Sequence, residues 1–237
     1  MYKGNKILCI IPARGGSRGL PDKNIRELLG KPLIAYTIEH AKRSKYIDRI
    51  IVSTDNEEIA DISKQYGAEV PFTRPKRLAL DNSSTIAVLQ HVIEWLESKE
   101  EYFFDILVLL HATAPLRKVE DIDNCIKLLV EKNADNIFSV TEANRNPYFN
   151  MIETYKNGQV GLVKKGNFTT RQSAPKVFDI NASVYVWWKD IFKKRKSIFS
   201  KRTQIYIMPK ERSVDIDDYY DFKIVEMFLK DALKAAD

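Results

Sequence analysis

ILCIIPARGGSRGLPDKN, residues 7 to 24, is the stretch on which the reading of this 237-residue chain turns. Ile7 to Ile11 is an unbroken apolar run rich in β-branched residues, the composition of a strand buried on both sides. The chain then leaves the carboxyl end of that strand, where ligands gather in open α/β sheets. Gly15, Gly16 and Gly19 let backbone N–H groups turn toward a bound anion. Arg14, Arg18 and Lys23 add side-chain cations to the same loop, a set that suits the spread charge of a triphosphate better than a single carboxylate. The stretch lacks the G-K-[ST] ending of a P-loop and the G-x-G-x-x-G of a dinucleotide fold. An incidental glycine-rich turn would account neither for this much positive charge, with Arg26 following, nor for the position after the first strand.

Outward from this loop, short β-branched runs alternate with amphipathic helical patterns, which predicts an α/β fold with a mostly parallel sheet flanked by helices. Leu33, Ile34, Thr37, Ile38 and Ala41 recur at helical spacing ahead of a second strand at about 49–53. Asp55 followed by Glu58 reads as a capping box for a helix whose apolar positions are Ile59, Ile62 and Tyr66. Val88, Leu89, Val92, Ile93 and Leu96 mark a third helix, and 105–110 a central strand. Ile122, Cys125, Ile126, Leu129 and Val130 give the next helix, and 136–141 another strand. The pattern then breaks. Segments 151–155 and 160–163 flank Asn157-Gly158, a strong hairpin signal, so about 142–176 reads as an arm inserted into one domain spanning 1–237. Along 180–188, Ile180, Ala182, Val184, Val186 and Trp188 are expected on one face, with Asn181, Ser183, Tyr185 and Trp187 on the other. A last helix is expected from about Asp218 into Leu233.

The second informative segment is Ser213-Val-Asp-Ile-Asp217. Extended, it turns Asp215 and Asp217 to one face and Val214 and Ile216 to the other. Such a pair suits Mg²⁺, which takes one or two carboxylates and completes its shell with phosphate oxygens and water. Asp217 and Asp218 equally suit the N-terminus of the last helix. Asp55, at the end of the second strand, is open to a helix cap or a ligand role. His111, ending the central strand, is open to substrate contact or a structural role, and Arg171 to a sugar carboxylate or solvent.

The longest apolar runs are far too short to cross a bilayer and no signal-peptide pattern opens the chain, so a cytoplasmic protein with no membrane contact is expected. Cys9 and Cys125 fall in apolar positions away from any metal-binding spacing and read as buried, reduced thiols. The net charge of +6 suits an anionic partner. Lys193-Lys194-Arg195-Lys196 with Lys201-Arg202 lacks interleaved aromatics and reads as a solvated helix end, so nucleic acid is not expected as a partner.

With these residues assembled, the chain resembles the acylneuraminate cytidylyltransferases, the CMP-sialic acid synthetases and their legionaminic and pseudaminic acid relatives. The resemblance rests on IPARGGSRGLPDKNI at 11–25, GKPLIAYTI at 30–38, RIIVSTD at 49–55, RP with LALDNSST at 74–85, LLHATAPLR at 109–117, DINASVYV at 179–186 and SVDID at 213–217. It implies a Rossmann-like nucleotidyltransferase that transfers CMP from CTP to the anomeric hydroxyl of a nine-carbon 2-keto sugar acid, with Mg²⁺ as cofactor and pyrophosphate as product. It implies that Arg14, Lys23 and the loop glycines, Gly15 and Gly16 among them, hold the CTP phosphates, and that Ala13, Ser17, Asn24, Arg74, Ser84 and Thr85 belong with them to the nucleotide site. Asp215 and Asp217 would hold the metal, with Arg14, Lys23, Asp215 and Asp217 carrying catalysis. A sugar pocket near His111, Arg171, Gln172 and Asn181 and a homodimer built through the arm complete the set. His111 stands where Gln is common in the family, Arg18 replaces a usual Lys and Ala182 a usual Gly. The competing readings are a 3-deoxy-octulosonate cytidylyltransferase and, from another class, a basic nucleic-acid binder without catalysis.

Overall fold

Strand β1 (Ile7–Pro12) sits inside the sheet, with Ile7 to Ile11 fully buried. The computed structural model describes residues 1–195 and 197–234, and β1 divides its core in two. Along the chain come the short strands β2 (Glu27–Leu28) and β3 (Lys31–Pro32), α1 (Leu33–Arg43), β4 (Arg49–Ser53), α2 (Glu57–Gln65), α3 (Thr85–Lys99) and β5 (Ile106–Leu110). Then follow α4 (Val119–Glu131), β6 (Asn136–Glu142), β7 (Ile152–Thr154), β8 (Val160–Leu162), β9 (Phe178–Trp188), α5 (Lys189–Lys194), β10 (Thr203–Ile207) and α6 (Tyr219–Lys234). The six-stranded sheet runs in the order β10-β6-β9-β5-β1-β4. β1 pairs in parallel with β4 and β5, and β10 in parallel with β6, while β9 alone runs antiparallel to both of its neighbours. The expectation of a mostly parallel sheet therefore holds.

Alternation along β1 assigns its side chains to two layers. Ile7, Cys9 and Ile11 pack with Ile34 and Ile38 of α1 and Ile122 and Ile126 of α4. Leu8 and Ile10 pack on the opposite side with Leu89, Val92 and Leu96 of α3. Each such side chain contributes roughly 1.5–3 kcal/mol on full burial. Cys9 and Cys125 are free and buried, and burial pushes both thiols up, as inert core positions require. A third apolar cluster matters most for function. Leu20 from the loop after β1, Ile216 from the 213–217 segment, and Phe222 and Val225 of α6 bury one another, so the two segments singled out in the sequence are held together by their own apolar residues.

Several local expectations are corrected. The helix at 57–65 is capped by Asn56, whose Oδ1 accepts from Ile59 N at 2.9 Å, and Asp55 is left outside it. Asn and Asp are equivalent caps by type, so composition alone placed the cap one residue early. The 213–217 segment joins no sheet, although the alternation of its side chains survives: Ile216 is buried and Asp217 exposed. The simple alternation expected for β9 fails near its start. Ala182 takes a left-handed φ of 47°, the register with β6 shifts between Phe138 and Val140, and Asn181 turns inward while Ile180 is exposed. Ser139 fills the irregularity, its hydroxyl donating to Asn181 Oδ1 at 2.6 Å and accepting from Val184 N at 2.9 Å. β10 was not expected at all. In the arm, β7 and β8 form the expected hairpin, with Gly158 at φ 79° in its turn.

Candidate active site

The loop after β1 and the 213–217 segment face each other across a crevice of about 320 Å³, lined by Arg14, Ser17, Arg18, Lys23, Asn24 and Asp217 among others. Lys23 opens a short 3-10 turn after Asp22, which sits at a left-handed φ of 53°. Its Nζ donates to the Ile216 carbonyl and lies 3.5 Å from Asp217 Oδ1. Gly19 lies against the backbone of Asp217 so closely that an added Cβ would overlap the Asp217 carbonyl oxygen. The opposite wall is tied in as well, because Ile216 N donates to Thr113 O at 2.9 Å in the turn after β5.

The glycines of this loop serve close approach more than unusual backbone angles. None of Gly15, Gly16 and Gly19 is among the residues with positive φ. Gly15 lies against Asn56, to which an added Cβ would stand 3.0 Å from Cβ, and its N–H donates to Asp55 Oδ1 at 3.0 Å. Asp55, released from helix capping, therefore holds the loop. Gly16 is different: an added Cβ there meets nothing within 4 Å. Ala13 N donates to Ser53 O at 2.9 Å, and Asn24 Nδ2 to Arg14 O at 2.9 Å, which fix the two ends of the loop.

Positive charge converges on the crevice. Arg14 and Arg18 each bind one carboxylate oxygen of Asp81, and Lys23 lines the same crevice. Arg74 is buried, donating from Nε to Ser53 Oγ at 3.1 Å and from its other end to the Ser53 carbonyl, and burial draws its pKa down to about 10. Ser84 occupies the N-cap position of α3 and Thr85 its first turn, with Asp81 just upstream. Against this stands Asp215, whose Oδ1 is buried with no hydrogen-bond partner. Burial, then the neighbouring Asp217 charge, raise its carboxyl above the usual range, while Thr113, Lys23 and Arg117 pull the other way. A buried carboxylate oxygen without a donor is costly unless a cation completes it, so the Asp215 and Asp217 pair fits a divalent ion that keeps most of its coordination for phosphate and water. Among the described residues no group of three or more His, Cys, Asp or Glu is arranged to hold a metal by itself.

Arg117 was not singled out as a site residue. It is fully buried, donating from Nε to Ser183 Oγ at 3.0 Å, from one terminal nitrogen to Thr37 Oγ1 at 2.9 Å, and from the other to the His111 carbonyl. The only signal for it was an arginine closing the turn after the central strand. His111 is half-buried with its ring edge-on to Tyr185, centroids 5.8 Å apart. Burial, reinforced by Arg117 and Lys23, lowers its pKa to about 4, so the imidazole is neutral at pH 7. Asn181 is buried and satisfied, with Nδ2 donating to Ser213 Oγ at 2.9 Å.

The four expected sugar residues do not form one lining. Arg171 and Gln172 border a separate hollow of about 340 Å³ with Glu142, Asn146 and Lys176 at the root of the arm, and Arg171 donates to Ala143 O at 2.6 Å. The basic patch is partly neutralised: Lys193 pairs with Glu97 at 2.7 Å, and Arg195 and Arg202 both pair with the buried Asp135, at 3.3 and 2.6 Å. Lys196 lies outside the described residues.

Known proteins bear directly on this geometry. A flagellin modification protein B of Campylobacter coli is 45% identical over 230 residues, covering 96% of each chain. A CMP-N,N'-diacetyllegionaminic acid synthase of Campylobacter jejuni is 42% identical over 224 residues, 94% of this chain and 95% of the relative. In structure, a CMP:2-keto-3-deoxy-manno-octonic acid synthetase solved with CTP superposes with a TM-score of 0.72, covering 96% of this chain and 99% of that one, at 14% identity, a likeness of fold alone. The family model described as Cytidylyltransferase matches residues 8–236, from the first residues of β1 through the crevice and past α6, and the chain belongs to that family.

Proposed function

We propose that this protein transfers CMP from CTP to the anomeric hydroxyl of a nonulosonic acid of legionaminic or N-acylneuraminic type, releasing pyrophosphate in a Mg²⁺-dependent reaction. The observation that carries this reading is the meeting of Lys23 with Ile216 and Asp217, which lie 193 and 194 residues further along the chain, at one crevice beside Arg14 and Arg18. Asp215 and Asp217 are the residues that would hold Mg²⁺, which when bound supplies charge neutralisation on the phosphate oxygens. Arg14, Arg18 and Lys23 would bind the β- and γ-phosphates and stabilise charge on the departing pyrophosphate. The sugar oxygen attacks the α-phosphorus in line as the bond to the bridging oxygen breaks, so alignment and electrostatics suffice without a protein nucleophile. Neutral His111, half-buried at the end of β5, would offer a hydrogen bond to the sugar without adding charge.

The naming of a 42% identical relative as a legionaminic acid synthase supports the nine-carbon substrate, whereas the octonic acid enzyme shares the fold at 14% identity, which says little about substrate. A nucleic-acid-binding role draws little support from a patch whose cations are partly paired with Glu97 and Asp135. The homodimer belongs to the same proposal. Its support is the arm, where Met151, Ile152, Tyr155, Val160 and Val163 leave apolar surface exposed. A cytoplasmic location is likewise proposed; no helix among the described residues is long and apolar enough to cross a membrane. The test is pyrophosphate release from CTP with N-acetylneuraminic, legionaminic, pseudaminic and 3-deoxy-octulosonic acids side by side. Turnover with a nine-carbon acid is expected, and turnover with the octulosonic acid alone, or with none, would reject the proposal.

A further inference from the structure

Two of the cations that line the crevice are already paired with a carboxylate from a neighbouring loop. Arg14 donates to Asp81 Oδ1 at 2.5 Å and Arg18 binds Oδ2, so one carboxylate bridges two guanidinium groups as two oxygens of a phosphate would. Asp81 belongs to the loop between the 3-10 turn at Lys76–Leu78 and α3, where Ser83 bonds back to Leu80 and Arg77. The arrangement is not locked by burial. The Arg18 side chain is 83% exposed and that of Asp81 39%, so a solvent-borne anion can reach both partners. The Asp81 carboxyl lies below the usual carboxylate range, held there first by the Arg14 hydrogen bond, with the charges of Arg18 and Arg14 adding to it and partial desolvation opposing them.

We propose that Asp81 is a displaceable counter-anion of the phosphate site, occupying Arg14 and Arg18 until a polyphosphate displaces it. The proposal rests on the reading that this crevice takes the CTP phosphates. Because the carboxylate is tethered, it competes at a high effective concentration and weakens every anion that needs both arginines by a common factor. Inorganic phosphate, with few other contacts, is driven out of its useful binding range. CTP keeps enough affinity because its longer chain of phosphates also reaches Lys23. The displaced segment leads directly into Ser84 and Thr85 at the start of α3, so triphosphate binding and movement of that flank are the same event.

The experiment uses the full chain, Asp81→Asn to remove the charge at constant size, and Asp81→Glu to restore it. Thermal shifts with inorganic phosphate and with pyrophosphate are measured at fixed ionic strength without sugar, and KM for CTP with it. Removing the competitor should tighten phosphate and pyrophosphate binding and lower KM for CTP together, by about twofold to thirtyfold, the range two exposed ion pairs span. Asp81→Glu should return all three toward wild type. Unchanged or weaker anion binding in Asp81→Asn overturns the proposal, the weaker result showing that Asp81 pre-organises the arginines instead. A wild-type protein that binds phosphate but turns over CTP with no sugar refutes the functional reading while the phosphate comparison still decides the role of Asp81.

Discussion

Gly19→Ala tests the contact that brings the two halves of the site together. The added methyl group would overlap the Asp217 carbonyl oxygen and stand 3.3 Å from the Asp217 carbonyl carbon. Carbon and carbonyl oxygen ordinarily approach no closer than about 3.3 Å, so one backbone must give by about 1 Å. Neither side is a flexible side-chain end. The 213–217 segment is fastened by Ile216 N to Thr113 O and by burial of Ile216, and the loop by Leu20 in the same cluster. A misplacement of about 1 Å in a positioned reacting group costs on the order of a hundredfold in rate, and because Gly19 is exposed and the clash is with backbone, the stability cost is that of local backbone strain, about 1–3 kcal/mol. Pyrophosphate release at saturating CTP and sugar, with a melting curve on the same sample, reads both. Gly16→Ala is the control, since its methyl group meets no protein atom within 4 Å and should leave the melting temperature unchanged. Turnover of Gly19→Ala within threefold of wild type, at an unchanged melting temperature, would refute the close approach on which the site is built.

Lys23→Ala should lower turnover by about a hundredfold or more, as loss of a key electrostatic group does, with the melting curve showing whether the fold survives; near-normal turnover rejects the role. His111→Gln should flatten the acid limb of the stability profile. A folded-state pKa near 4, depressed from 6.5, contributes stability that is complete above pH 6.5 and lost as pH falls through 4. Denaturant unfolding at pH 7 and pH 4.5 should therefore show wild type losing about 2 kcal/mol that the variant does not lose, and equal losses would contradict the burial of this imidazole. Ala182→Gly should stabilise by about 0.5–1 kcal/mol, because a left-handed conformation costs an L-residue about 1–2 kcal/mol, part of which glycine returns as chain entropy. A lower melting temperature in that variant would contradict the positive φ.

How much of this was readable in advance follows the physics of each signal. β1 was plain because five consecutive apolar residues have no other home than a two-sided core, and the hairpin because Asn157-Gly158 answers a local conformational demand. The approach of the loop to 213–217 followed from charge chemistry, yet the apolar clamp of Leu20, Ile216 and Phe222 that produces it is a long-range contact with no periodic signature. β10 was missed because TQIYI lies among basic residues and becomes a strand only by adding to the ladder of β6. The direction of β9 is set by its return from the arm, and its bulge by Ser139 on a different strand. Gly19 illustrates the limit well. The sequence suggested a turning backbone, whereas the residue is glycine because another backbone lies against it. Arg117 was overlooked since a buried guanidinium is recognisable only once Thr37, Ser183 and the His111 carbonyl are gathered around it.

The central claim is that the cationic loop and the aspartate pair act as one metal-assisted triphosphate site. Its most direct test is the melting temperature of wild type and Asp217→Asn with CTP, with Mg²⁺, and with both. Wild type should gain markedly more from the two together than from the sum of each alone, as linked binding requires, and Asp217→Asn should lose that excess while keeping its ligand-free melting temperature. CTP stabilisation of equal size with and without Mg²⁺, or unaltered in Asp217→Asn, would contradict the account.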